Sequence, residues 1–151
     1  MIELKKIGHV LIKVADLERA KAFYTGVLGF VVIEEDPEHG GVFMALKGQS
    51  HLLDLSPLGR PGAAHTNGVE RPGVHHVAFL VEDEAALRQS YFTLKQNGVE
   101  ILRMMDHVSQ RSIYFNDPDG NLLEIYYERP NALEYFLRGR GDQDKPFTFE
   151  Q

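Results

Sequence analysis

Apolar residues recur along the chain with the spacing of a strand in some segments and of a helix in others. A strand pattern followed by a helix pattern occurs twice. The β-branched run Val10–Val14 predicts a strand near the start. Asp16 follows as a candidate helix N-cap, and apolar residues at helical spacing then predict a helix that Gly29 stops. Later in the chain, the strand-like run His76–Val81 precedes Asp83 and a second helical pattern. The pattern therefore predicts two units that both begin with a strand and a helix.

The two halves also match residue by residue, which indicates an internal duplication. Four residues of the first half recur as the same residue type 67 positions later. The pairs are His9 and His76, Val14 and Val81, Asp16 and Asp83, and Tyr24 and Tyr91. Near the end of each half, LLDLS at Leu52–Ser56 matches LLEIY at Leu122–Tyr126. Each half is predicted to contain a strand, a helix and three further strands. The predicted boundaries are module one at 2–56, a Pro- and Gly-rich linker at 57–72, module two at 73–128 and a tail at 129–151.

One carboxylate interrupts a segment that is otherwise suited to burial. The stretch SIYFNDPDGNLLEIYYE predicts a β-hairpin, since Asp, Pro and Gly favour the turn between two apolar and aromatic runs. Side chains alternate along a strand, so Glu124 shares its face with Leu122 and Tyr126. Burying an uncompensated carboxylate costs several kcal/mol. Glu124 therefore requires a cationic or proton-donating partner.

Composition limits the classes of function. The chain has 151 residues with 43% apolar and 25% charged residues, which fits one domain of an ordinary globular protein. The net charge of −6 argues against a nucleic-acid or anionic-membrane partner. No apolar run predicts a membrane span or a secretory signal, so a cytoplasmic location is expected. The absence of cysteine leaves His, Asp and Glu as the candidate metal ligands.

The duplication suggests which residues compensate Glu124. His9 and His76 lie at equivalent positions, each at the start of the first strand of its half. If the two first strands pair about a pseudo-twofold axis, the imidazoles converge and Glu124 can join them. Two His and one carboxylate form the ligand set of non-haem Fe(II) oxygenases. A metal ion would also supply the positive charge that Glu124 requires.

The chain resembles the vicinal oxygen chelate superfamily, which comprises glyoxalases, bleomycin-resistance proteins and extradiol dioxygenases. The stretches that are similar are GHVLIKVADLERAKAFYTGVLGF, GVHHVAFLVED and IYFNDPDGNLLEIYYE, and the resemblance covers residues 4–128. It implies an α+β fold of two βαβββ modules forming an open, cup-shaped mixed sheet around a metal. Carried over by position, the family's metal ligands fall on His9, His76 and Glu124.

Two further segments resemble single-domain extradiol dioxygenases. MALKGQSHLLDLS is similar to the segment that supplies an acid/base His outside the metal's ligands, which implies this role for His51. DHVSQRSIYF is similar to the segment that implies His107 and Tyr114 in the substrate pocket. Histidine suits proton exchange with a catechol, because its unperturbed pKa is about 6.5. An ordinary structural role is the alternative for each of these three residues.

Two positions depart from the extradiol pattern. Leu11 stands two residues after His9, where some extradiol enzymes have Asn. Asp54 occupies the duplicated counterpart of Glu124, where glyoxalase I-like and epimerase-like members often have a fourth ligand. If Asp54 also binds the metal, an isomerase or lyase becomes the alternative function. A metal-free, antibiotic-binding protein is a third class.

Together these features predict an Fe(II)-dependent, extradiol-type ring-cleaving dioxygenase. Its expected partners are a catechol-like aromatic substrate and O₂, with Mn, Ni, Co or Zn as alternative metals. The resemblance implies a homodimer. The tail at 129–151 has no predicted role.

Overall fold

The computed structural model describes residues 7, 9–35, 40–48, 52–58, 74, 76–138 and 143–149. The chain divides into two compact units, Met1–Val69 and Glu70–Gln151. Each unit contains one module with the predicted order of strand, helix and three strands. The α+β fold class with two βαβββ modules is therefore confirmed.

The first unit has one helix and a four-stranded sheet. Its elements are β1 (Val10–Val14), α1 (Leu17–Gly26), β2 (Val31–Glu35), β3 (Val42–Ala45) and β4 (Leu53–Pro57). The strand order is β1-β4-β3-β2, in which β1 and β4 are parallel and the other neighbours are antiparallel. α1 packs against β4 and buries Tyr24 completely. Burial of this aromatic side chain anchors the helix on the sheet.

α1 is shorter than the sequence pattern predicts. It ends at Gly26, whereas the apolar spacing predicted a helix as far as Leu28, with Gly29 as the stop. The backbone amides of Val27 and Leu28 both donate to the carbonyl of Phe23, which closes the last turn. Gly29 then adopts a positive φ of 79°, a conformation that is favourable for glycine and leaves the helix. Gly29 thus leaves the helix as predicted, and the last helical residue lies two positions before Leu28.

The second unit repeats this order and adds two elements from the tail. Its elements are β5 (Val77–Leu80), α2 (Glu84–Gln96), β6 (Ile101–Asp106), β7 (Gln110–Asn116), β8 (Leu122–Glu128), α3 (Ala132–Arg138) and β9 (Lys145–Pro146). The strand order is β5-β8-β7-β6-β9, and only β5 and β8 are parallel. α2 packs against β7 and β8 and buries Leu87 and Leu94. The four module strands thus follow the same order in both sheets, and the tail adds β9 at the edge of the second sheet.

Both module helices begin at an aspartate, as the duplication predicts. The side chain of Asp16 accepts a hydrogen bond from the amide of Arg19 at 3.0 Å. The side chain of Asp83 accepts one from the amide of Ala86 at 2.8 Å. Each bond satisfies an amide that the helix itself leaves without a partner. In the described part of the chain, no helix is both long and apolar enough to cross a bilayer.

The predicted linker at 57–72 falls almost entirely outside the described residues, and so does His51. The proposed module boundaries consequently remain predictions.

Candidate active site

The register of the second sheet gathers polar side chains on one of its faces. Tyr114 on β7 stands opposite Glu124 on β8 and opposite Arg103 on β6. On the other side of β8, Ala78 is the partner of Glu124, and His76 precedes Ala78 by two residues. Opposed residues on neighbouring strands share a face, and so do residues two apart along a strand. These side chains therefore project from the same side of the sheet.

Glu124 and His76 form a close pair on this face. The Nε2 atom of His76 lies 2.9 Å from Oε2 of Glu124, whose side chain is only 4% exposed. Gln110 donates a hydrogen bond from its amide nitrogen to the other oxygen, Oε1, at 3.2 Å. A buried carboxylate is tolerated when a cation or hydrogen-bond donors compensate it. His76 and Gln110 thus provide the compensation that Glu124 requires.

The same pair fits two of the predicted metal ligands. An imidazole nitrogen and a carboxylate oxygen at this separation offer adjacent donors to one ion, and both types bind divalent transition metals. The imidazole is 31% exposed, so the pair is accessible from outside the core. The Gln110 bond can orient the carboxylate in the way that outer hydrogen-bond partners orient metal ligands. The residues present therefore fit a divalent metal.

Tyr114 lies beside this pair as a neutral hydrogen-bonding group. Burial, and next the negative charge of Glu124, raise the pKa of the Tyr114 phenol above its usual value. The Tyr114 ring meets the His76 ring edge to face, with centroids 6.0 Å apart. The guanidinium carbon of Arg103 lies 4.2 Å from the centroid of the Tyr114 ring. At neutral pH the phenol is therefore protonated and can donate a hydrogen bond, and the contacts with His76 and Arg103 fix its ring.

His107 contacts the hydroxyl of Tyr114 from the turn between β6 and β7. Its Nε2 atom lies 2.8 Å from that hydroxyl oxygen, and its other ring nitrogen, Nδ1, lies 2.7 Å from Oδ2 of Asp144. His107 is largely buried, with a side-chain exposure of 17%. The imidazole therefore bridges a phenol next to the candidate ligands and a carboxylate from the tail.

Ion pairs hold the turn that presents His107. Asp106 accepts hydrogen bonds from both terminal nitrogens of Arg129, at 3.0 and 2.8 Å, and from Nε of Arg111 at 3.0 Å. Arg129 first, and then Arg111, hold the pKa of the buried Asp106 carboxyl well below its usual range. Val108 has a φ of 71°, which is unusual for a β-branched residue. Its amide donates to Asp106 and its carbonyl accepts from Arg129, so this network stabilises a strained turn.

The first unit contains a second, looser His–carboxylate pair. The Nε2 atom of His9 lies 3.9 Å from Oδ2 of Asp54, which is buried while His9 is half exposed. Asp54 on β4 is the direct partner of Leu11 on β1, just as Glu124 on β8 is the partner of Ala78 on β5. The two pairs therefore occupy equivalent positions in the two modules.

The predicted site residues fall into separate groups in the structure. His76 and Glu124 lie together in the second unit, and Tyr114 and His107 lie beside them. His9 belongs to the first unit, and His51 lies outside the described residues. Within either unit, the described residues include no group of three His, Asp or Glu side chains that could hold a metal ion. The three-residue ligand set consequently remains a prediction.

Sequence reasoning missed three polar residues of this site. Gln110 binds Glu124, Arg103 covers Tyr114, and Asp144 binds His107. The hairpin register could have identified Gln110, since it lies on the same face as Tyr114, four residues earlier on β7. No local signal identifies Asp144, because it lies 37 residues beyond His107 in the chain.

Comparison with known proteins assigns the family. Residues 6–125 match the model of the Glyoxalase/Bleomycin resistance protein/Dioxygenase superfamily. Biphenyl-2,3-diol 1,2-dioxygenase 2 of Rhodococcus globerulus is 28% identical over 142 residues, which make up 92% of this chain and 73% of that enzyme. Catechol-2,3-dioxygenase of Bacillus subtilis is 30% identical over 126 residues, covering 83% of this chain, but the match spans only 42% of that enzyme's length.

Other relatives bear different names. Metallothiol transferase FosB of Staphylococcus saprophyticus is 29% identical over 130 residues, covering 82% of this chain and 77% of that protein. A solved structure of a glyoxalase family protein from Enterococcus faecalis is 30% identical, with a TM-score of 0.63 and coverage of 81% of this chain and 97% of that one. Since the family model matches most of the chain, the protein belongs to the glyoxalase/bleomycin resistance/dioxygenase superfamily, the vicinal oxygen chelate group.

Proposed function

We propose that the protein is a metal-dependent, extradiol-type dioxygenase that cleaves the ring of a catechol-like aromatic. The observation that supports this most directly is the buried Glu124 carboxylate 2.9 Å from His76, with Tyr114 directly opposite and bound to His107. This arrangement puts two metal-ligand types beside a protonated phenol and an imidazole. The dioxygenases named above support an enzyme of this kind.

The proposed ligands are His76 and Glu124 from the second unit, with His9 from the first. Fe(II) bound there would supply Lewis-acid binding of both catechol oxygens and a redox partner for O₂. Gln110 would keep Glu124 oriented toward the ion, since it donates to the carboxylate oxygen that does not face His76.

The proton-handling residues would act beside the ligands. Tyr114 is a protonated donor whose ring adjoins His76, so it is suited to hydrogen-bond an oxygen of the substrate. His107 can take or return a proton through its Nε2 atom, which lies 2.8 Å from the Tyr114 hydroxyl. His51 remains the proposed general acid/base, on the family resemblance alone.

A metal-dependent isomerase or lyase is the second candidate, and one specific observation favours it. Asp54 is buried, and its carboxylate lies 3.9 Å from the imidazole of His9 at the position equivalent to that of Glu124. A fourth protein ligand would leave fewer coordination positions for substrate and would suit an enediolate reaction, in which the metal need not change oxidation state.

The decisive experiment combines metal analysis with oxygen uptake. Protein loaded anaerobically with Fe(II) and freed of excess metal is supplied with a panel of catechols, while oxygen and the coloured ring-cleavage product are followed. We expect stoichiometric iron and oxygen consumption matched by product. Tight binding of Ni(II), Co(II) or Zn(II) without oxygen consumption would favour the isomerase, and loss of this binding in Asp54→Ala would then identify the fourth ligand.

Absence of stoichiometric binding for any of these metals would contradict both enzymes and favour the metal-free binding protein. A homodimer and a cytoplasmic location also remain predictions, which gel filtration and cell fractionation test directly.

A further inference from the structure

The tail of the chain docks on the second sheet as an additional strand. β9 pairs antiparallel with β6, with Lys145 opposite Asp106 and Pro146 opposite Met105. Phe147 continues the pairing, since its amide donates to the carbonyl of Met104 at 3.3 Å. This segment lies beyond residue 125, where the family match ends. The family model therefore does not extend to this segment.

Aromatic and cationic contacts fix the docked segment on both sides. The guanidinium of Arg111 lies over the ring of Phe147, 4.9 Å from its centroid. The rings of Phe147 and Phe149 meet edge to face at 5.2 Å, and Phe149 also contacts Tyr91 of α2 at 5.7 Å. Edge-to-face ring contacts and a guanidinium over an aromatic ring are both favourable arrangements. The position of the residue that precedes β9, Asp144, is thus set by contacts on its C-terminal side.

Asp144, His107 and Tyr114 form a continuous chain of hydrogen bonds. Oδ2 of Asp144 lies 2.7 Å from Nδ1 of His107, and Nε2 of the same ring lies 2.8 Å from the Tyr114 hydroxyl. Tyr114 in turn stands opposite Glu124. A carboxylate from the tail is thereby connected, through one imidazole, to the phenol beside the proposed metal ligands.

The chemistry of these groups assigns the protons. An ionised carboxylate only accepts hydrogen bonds, so the 2.7 Å contact requires a proton on Nδ1 of His107. In the neutral imidazole, Nε2 then has a lone pair and accepts the hydrogen bond that the Tyr114 hydroxyl donates. The carboxylate thus favours the Nδ1-protonated form over the other neutral tautomer.

We propose that Asp144 is a positioning residue, which holds His107 in the tautomer protonated on Nδ1 so that Nε2 can accept the hydrogen bond of the Tyr114 phenol. The orienting role stands on the geometry alone, whereas its value for catalysis rests on the proposed dioxygenase function. An orienting carboxylate behind a proton-transferring imidazole is a general solution to this chemical problem.

Nuclear magnetic resonance of the histidine ring nitrogens in the metal-free, full-length protein tests the orienting role. Long-range ¹H–¹⁵N correlations, with His107 assigned from the His107→Gln variant, distinguish the two tautomers above neutral pH. We expect Nδ1 protonation in the wild type and a substantial Nε2-protonated population in Asp144→Ala and Asp144→Asn. Gln143→Ala, at the exposed neighbouring position, is the matched control and should leave the tautomer unchanged.

Backbone amide signals of Phe147 and Met104 show whether β9 remains docked in each variant. Asn has nearly the size of Asp, so Asp144→Asn separates loss of charge from loss of packing. A wild type protonated on Nε2, or variants that keep Nδ1 protonation with β9 docked, would overturn the proposal.

Kinetics of the iron-loaded protein test the catalytic part. We expect kcat for catechol cleavage to fall by about 10–100-fold in the Asp144 variants with little change in KM. An altered tautomer with unchanged kcat would overturn the catalytic role. If the wild type cleaves no catechol, the proposed function fails, while the tautomer measurement still decides whether Asp144 orients His107.

Discussion

Tyr114 and Glu124 stand directly opposite each other on the antiparallel strands β7 and β8. Both residues are almost fully buried, at 5% and 3% exposure. Burial, and next the charge of Glu124, raise the pKa of the Tyr114 phenol, so the phenol is protonated at physiological pH. One position of the sheet register thus places a carboxylate, which is a common metal ligand, opposite a phenol that can donate a hydrogen bond.

Replacing Glu124 by Ala should abolish stoichiometric iron binding. Outer hydrogen-bond partners of metal ligands already contribute about 10–100-fold to metal affinity, so losing a ligand should cost more. Metal content after anaerobic loading and desalting measures the effect. Glu128→Ala, an exposed change at the end of the same strand, is the control and should keep its iron. Full metal content in Glu124→Ala would refute this ligand assignment.

Replacing Gln110 by Ala should weaken iron binding without abolishing it. The amide of Gln110 donates to Oε1 of Glu124 at 3.2 Å, and its removal frees the carboxylate to rotate. We expect a loss of about 10–100-fold in affinity, measured by competition with a chelator of known strength. Gln96→Ala, at the exposed end of α2, should have no effect. Equal affinities of Gln110→Ala and the wild type would show that this bond does not orient the ligand.

Asp106→Asn should lower the free energy of unfolding by about 3 kcal/mol at neutral pH, because it leaves two arginines without their buried carboxylate. The folded-state pKa of Asp106 is depressed, so its contribution is fully present above the unfolded pKa of about 3.9 and is lost as pH falls below that value. Urea unfolding at several pH values should therefore show the difference from wild type shrinking with acidification.

The control for this experiment is Glu100→Gln, which removes an exposed carboxylate just before β6. Its effect should be small at every pH. A constant difference between Asp106→Asn and wild type from neutral pH to about pH 3 would contradict the linkage argument.

The duplicated helix caps should make similar contributions to stability. Asp16→Ala and Asp83→Ala each remove the acceptor for one amide of the first helical turn, and each should cost about 1 kcal/mol in urea unfolding. Asp16→Asn and Asp83→Asn keep an acceptor oxygen and should be close to neutral. A negligible cost at either position would show that the equivalence of the two caps is only geometric.

Where the sequence signals are local, the ends of the first strand of each module could be predicted to within one residue. β1 has the predicted bounds Val10–Val14, and β5, at Val77–Leu80, is one residue shorter at each end than its pattern indicated. Alternation also placed Glu124 and Tyr126 on one face, because the strand period of two residues is independent of the rest of the fold. Duplication then indicated that His9, His76 and Glu124 converge, and of these three residues the structure brings His76 and Glu124 together at 2.9 Å.

Other features of the site depend on contacts that no local pattern encodes. Asp144 reaches His107 because β9 pairs with β6, and a strand of two residues that contains proline has no recognisable periodicity. The tight turn at Val108 depends on Arg129, which lies 21 residues away in sequence. Tertiary partners that lie this far apart in the chain become visible only when the sheet register is known.

The composition of β9 has a consequence for the edge of the second sheet. An edge strand with free backbone donors and acceptors is a template on which other chains can add as further strands. β9 covers β6 at Met105 and Asp106, and β9 itself includes Pro146, which has no amide hydrogen to offer. The tail thus prevents further strands from adding at this edge. Its removal would expose the edge of β6, a longer strand that is prone to pairing with other chains.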